Sequence, residues 1–207
     1  MAEAYKTIRQ EGLDEFTVSR SRFIGCAAPI TSEEDALALI DKVGKTYRDA
    51  SHHVWAYTLG ADRERCSDDG EPRGTAGLPV LEVIRKEGLR NVAVVVTRYF
   101  GGIKLGAGGL IRAYTHGAAI ALEAGEIIER RPFLVCDVRV EYAAADRLRR
   151  ELERRGYLLR EPVYADRVTV TVLVPPDEEE ALSALVADLT AGRGVMLAGP
   201  IKYQDIS

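Results

Sequence analysis

Five consecutive apolar residues, Val92-Ala93-Val94-Val95-Val96, constrain this chain more than any other feature. β-branched side chains crowd a helix and suit a pleated sheet, so the run predicts a strand. Neither face of it is polar, which requires a central strand covered on both sides. The run ends in Thr97-Arg98-Tyr99-Phe100, and five glycines follow within nine positions: Gly101, Gly102, Gly106, Gly108 and Gly109. A helical pattern then extends from Leu110 to Ala124 and stops at Gly125. A buried strand thus delivers a glycine-rich loop, Arg98–Gly109, that feeds a helix N-terminus.

Two readings of this loop stay open. The first N–H groups of a helix lack intrahelical partners, the helix dipole makes that end positive, and glycines let an anion approach the backbone. Arg98, Lys104 and Arg112 add three cations nearby, which predicts a site for a phosphate, a nucleic-acid backbone or an acidic side chain. Alternatively, the glycines serve a tight turn and a close helix–sheet contact. Neither G-x-x-x-x-G-K-[ST] nor G-x-G-x-x-G occurs in the segment, so the familiar nucleotide fingerprints do not apply.

A second informative loop is Cys66–Pro79, CSDDGEPRGTAGLP. Asp68, Asp69 and Glu71 gather three carboxylates around Gly70, and Thr75 is the expected N-cap of a helix through Lys86, with Pro79 in its first turn. These residues read either as a turn and a cap or as a second wall of the site, orienting Arg98 or Lys104 or holding Mg²⁺. His52 and His53 open an expected strand, His52–Leu59. Neighbours on a strand point to opposite faces and cannot chelate one metal together. No nucleophile–base pair is evident, so no catalytic residue is assigned.

The segments TRYFGGIKLGAGGLIRAY and DDGEPRGTAGLP, in this order and spacing, together with SRFIG (Ser21–Gly25) and HHVWAY (His52–Tyr57), resemble the signature segments of the YigZ/Impact family. Arg73 departs from the pattern by placing a charge where a small residue is expected. The resemblance implies an N-terminal domain with the fold shared by GHMP kinases and the second domain of a small-subunit ribosomal protein. It also implies a C-terminal domain like the last domain of elongation factor G. Eukaryotic relatives regulate translation initiation through protein partners. The implied role is therefore a translation-associated regulator that binds RNA, the ribosome or a protein partner of the translation apparatus. The competing role is an enzyme acting on a small phosphorylated substrate at the glycine loop.

The rest of the chain supports an α+β class in two domains, 1–132 and 133–207. Tyr5–Arg9 and Asp14–Ala28 read as strands, with Ser19–Arg22 marking a bulge or strand end. Ser32 caps a helix to about Tyr47, giving ββαβαβα with helices largely on one face. Glu126–Pro132, EIIERRP, is the expected linker. Beyond it the rhythm becomes βαββαβ, a ferredoxin-like split. Arg147, Arg150 and Arg154 share one helix face there, interleaved with Glu151. Residues 1–132 carry 18 basic and 19 acidic groups, and residues 133–207 carry 10 and 13, so nucleic-acid contact would need a local patch. Cys26, Cys66 and Cys136 are odd in number and far apart, giving neither a disulfide framework nor zinc spacing. No apolar h-region opens the chain and no run approaches the ~18 residues of a membrane span. A cytoplasmic protein without membrane contact, metal or cofactor is expected.

Overall fold

A computed structural model describes residues 3–206 of the chain. The chain divides into two compact units, Tyr5–Glu129 and Arg130–Ile206, and both are α+β.

In the first unit the elements are β1 (Tyr5–Ile8), β2 (Gly12–Val18), β3 (Ser21–Pro29), α1 (Glu33–Thr46), β4 (His52–Leu59), β5 (Arg63–Ser67), α2 (Gly77–Lys86), β6 (Val92–Tyr99) and α3 (Gly106–Ala124). Strands β2–β3–β6–β4–β5 form an antiparallel sheet in that order. The valine-rich run is its central strand, as its two apolar faces require. Val92, Val94 and Val96 pack in one core with residues of α2 and α3. Ala93 and Val95 pack in the other with Ala36, Leu39 and Val43 of α1. Burying each valine stabilises by roughly 1.5 kcal/mol or more, so an edge position for β6 would forfeit several times that. The helices divide two and one between the faces, because α1 is needed to cover the second face.

Two local expectations change. Ser19 and Arg20 are a two-residue hairpin with φ of 47° and 61°, joining β2 to β3 through the Val18–Ser21 pair, so the polar interruption is a turn. Arg63–Ser67 is a strand, although its exposed, charged sequence RERCS hid it as a sheet edge. Ser32 caps α1 as expected, its Oγ accepting from the Asp35 N–H while the Asp35 carboxylate accepts from the Ser32 N–H.

The second unit uses β7 (Ile127–Val140), α4 (Tyr142–Arg154), β8 (Leu158–Leu159), β9 (Val163–Tyr164), β10 (Val168–Val174), α5 (Glu179–Thr190) and β11 (Val195–Ile206). The sheet order β11–β7–β10–β8, with β9 beside β10, is the ferredoxin-like arrangement. Most of Glu126–Pro132, expected as a linker, lies within β7. On α4, Ala145, Leu148 and Leu152 turn inward. Arg154 and Arg155 both bond Glu151, which makes this part of the arginine stripe a solvated, internally paired face. No helix among the described residues is long and apolar enough to cross a membrane.

Candidate functional site

The site begins with the face that Arg98 occupies on β6. Side chains alternate along a strand, so Arg98 continues the inward row Val92, Val94, Val96 toward α2 and α3. Its cross-strand neighbours are Phe23 on β3 and His52 on β4. A charge in that position must be paired. Arg98 Nη1 donates to Glu71 Oε1 at 2.6 Å, and the hydroxyl of Tyr114 on α3 donates to the same oxygen at 2.8 Å. The two charged side chains are 6% and 4% accessible. The guanidinium carbon lies over the rings of Phe23 and Phe100, 5.5 and 5.4 Å from their centroids. Burial first, and the Glu71 carboxylate second, push the Tyr114 hydroxyl up from its ordinary range, so it stays a donor.

This geometry corrects one expectation. Arg98 is a buried, charge-balanced structural residue, so it is not a free cation for an anionic ligand. It does line a cleft, and its Nε is buried without a hydrogen-bond partner among the described residues.

The glycine segment divides in two. Phe100–Leu105 is the true loop, and Gly106 to Gly109 form the first turn of α3, so the helix starts four residues before Leu110. Two serines hold the loop at its base: Phe100 N–H donates to Ser51 Oγ at 3.1 Å, and Gly101 N–H to Ser21 Oγ at 3.2 Å. Gly101 is required sterically, since a Cβ there would lie 2.0 Å from the Arg20 backbone. Gly106 has φ of 69°, which favours glycine at the turn into the helix. Gly102 and Gly108 are exposed. The helix start at Leu105 has no side-chain cap and no acid in its first turn.

That uncapped end opens on a cavity of about 490 Å³, whose lining includes His52, Glu71, Arg98, Phe100, Lys104 and Gly106. A second cavity of about 470 Å³ is lined by Lys104, Gly109 and Arg112, among others. Lys104 belongs to both, so it is the exposed cation of the first cavity, while Arg112 serves the second.

The acidic loop reaches the site through Glu71. Asp68 instead caps α2, accepting from the N–H groups of Gly74, Ala76 and Gly77 at 2.8, 3.1 and 2.8 Å. Burial raises its pKa, but these bonds, with the nearby Arg73 charge, outweigh burial and hold the carboxyl below the usual range. The expected cap, Thr75, is buried and donates its hydroxyl to Pro72 O at 2.6 Å. The Asp69 carboxylate accepts from His53 N–H at 2.6 Å, and its carbonyl lies 2.8 Å from His52 Nδ1. Because a carbonyl only accepts, Nδ1 carries a proton and donates to it, leaving Nε2 on the other side of the ring. That Nε2 is 3.9 Å from Glu71 Oε1. His53 points to the opposite face, where Nδ1 meets Thr97 Oγ1 at 3.0 Å. Among the described residues, no group of three His, Cys, Asp or Glu side chains is placed to hold a metal.

Ser21, Ser51, Phe100 and Tyr114 also belong to the site, although no motif in the sequence marks them. The parity of Arg98 with Val96 was the available signal, since it puts a charge in a buried row that needs an acid and further donors or acceptors.

Two family models each match one segment of the chain. The family model described as the Impact N-terminal domain matches residues 19–122, and Domain of unknown function (DUF1949) matches residues 138–193. The chain is 36% identical to the IMPACT family member YvyE of Bacillus subtilis (strain 168), over 98% of this chain and 94% of that protein. It is 34% identical to the IMPACT family member YigZ of Escherichia coli (strain K12), over 87% and 91%. A solved structure described as a hypothetical protein superposes with a TM-score of 0.63 at 30% identity, covering 97% of this chain and 99% of that one. On the family model over residues 19–122 and relatives this similar over nearly their whole length, the chain belongs to the IMPACT family.

Proposed function

We propose that this protein is a non-enzymatic, translation-associated regulator that recognises an anionic group of RNA, the ribosome or a partner protein at the start of α3. The observation carrying this reading is the uncapped first turn Gly106–Gly109, beside Lys104 and open to a cleft. Free N–H groups at the positive end of a long helix favour an anion. The Arg98–Glu71 pair contributes no net charge, which leaves Lys104 and Arg112 as the cations that tune affinity. The translation setting comes from the family resemblance and rests on that alone.

Neutralising both cations, as Lys104→Gln with Arg112→Gln, should weaken binding of a short single-stranded RNA about tenfold at low salt, and less as salt rises. Both side chains are exposed, so the melting temperature should hold. The control Arg147→Gln with Arg154→Gln should change affinity little. Equal RNA affinity for wild type and the Lys104/Arg112 variant, at matched salt, would remove the site. His52 supports a second reading, an enzyme acting on a small phosphorylated substrate. Its Nδ1 is anchored to Asp69 and the residue lines the cleft, and in the neutral form of the ring Nε2 would be the acceptor that a general base requires. Turnover of a phosphorylated metabolite that His52→Ala abolishes would favour that reading.

A further inference from the structure

The cleft before α3 is more than an anion site, because most of its wall is not polar. Pro72, Phe100, Leu105 and Leu110 line it together with Lys104 and the start of α3. Phe100 is 49% exposed although it follows the buried end of β6. The Arg98 guanidinium covers one side of its ring, and Ser51 holds its backbone. An aromatic ring fixed in this way, and still open to solvent, is a stacking platform. Arg98 and His52 belong to the same lining. Arg98 Nε is a buried donor without a partner, on a side chain only 6% accessible. His52 is anchored by its Nδ1, 2.8 Å from the Asp69 carbonyl. The cleft therefore presents an anion end and an apolar wall, with Arg98 and His52 in its lining.

We infer that the cleft binds a phosphorylated nucleotide, with its phosphate on the first turn of α3 beside Lys104 and its base against Phe100. An acidic side chain would satisfy the helix end but leave the aromatic wall bare. A nucleotide carries both a π-face for Phe100 and a phosphate partner for the helix end. The volume of about 490 Å³ is in the range of small-molecule sites. The same chemistry is offered by a free mononucleotide and by the 5′-phosphate end of an RNA strand. This inference rests on the anion site proposed above.

Calorimetric titration of the full chain with AMP, GMP, CMP, UMP and inorganic phosphate tests it. At least one mononucleotide should bind about tenfold tighter than phosphate. Phe100→Ala should reduce that affinity by about fivefold to a hundredfold while phosphate binding stays unchanged. Phe100→Leu, which keeps an apolar cover over Arg98, should lose the same preference, and Phe100→Tyr should keep it. Lys104→Gln should weaken nucleotide and phosphate alike. A 5′-phosphorylated tetraribonucleotide that matches the mononucleotide, with its 5′-hydroxyl counterpart inactive, would place strand ends among the ligands. Binding of the mononucleotide alone would assign the site to the free form. Equal affinity for phosphate and every nucleotide, unaffected at Phe100, would overturn the nucleotide inference and leave the anion site standing. Absence of binding by any of these anions would overturn both.

Discussion

Glu71→Ala should destabilise the N-terminal unit by about 3–5 kcal/mol, because it leaves the Arg98 charge buried without a counter-ion. The substitution also removes the acceptor of the Tyr114 hydroxyl, since both donors converge on Glu71 Oε1. Three elements lose their junction at once: the loop before α2, the end of β6 and the middle of α3. The surrounding wall is Phe23, Phe100 and Tyr114, which offers no other carboxylate. Thermal unfolding should show a fall of about 10 °C or more. Replacing both partners with apolar residues, as Glu71→Leu with Arg98→Met, should recover much of the loss, since paired removal strands no charge. A Glu71→Ala variant melting with the wild type would show that the pair is not buried.

Gly101→Ala should cost about 1–3 kcal/mol, measured by chemical denaturation. The added Cβ would fall 2.0 Å from both the carbonyl carbon and oxygen of Arg20. The Arg20 backbone has little room to move, because Ser19 and Arg20 already hold positive φ in a two-residue hairpin fixed by the β2–β3 ladder. Gly108→Ala is the contrast. Its Cβ would meet only the flexible end of Arg112, at 3.6 Å, so stability should change by less than about 1 kcal/mol. Equal costs at the two positions would mean that the loop is not seated on the hairpin.

These two cases show what the sequence could reveal. Strand β6 was legible because five apolar residues in a row allow few alternatives. The βαββαβ rhythm of the second unit was legible because its strands alternate and its helices have one apolar face. Strand β5 was not, since RERCS takes its strand character from pairing with β4 and carries no apolar pattern of its own. α3 starts earlier than its sequence pattern predicts because glycines weaken helix propensity, whereas packing of Leu110, Ala113 and Tyr114 extends the helix through them. The site was legible in its parts and misread in one role. Composition counts Arg98 as a cation, while its neutralisation depends on Glu71, 27 residues away in sequence and reached only through the fold. Asp68 takes the cap expected of Thr75 for a similar reason: both suit a cap, and the loop's path decides which oxygen reaches the N–H groups.

Backbone amide chemical shifts of the isotope-labelled full chain, followed during titration with inorganic phosphate and then with a 5′-phosphorylated nucleotide, test the central claim most directly. If the start of α3 is the recognition site, the largest saturable shifts will fall on Gly106, Ala107, Gly108 and Gly109. Lys104→Gln will then weaken the apparent affinity at those same amides. Shifts confined to the Arg147–Arg154 face of α4, or none at the first turn of α3 under saturating ligand, would contradict the account.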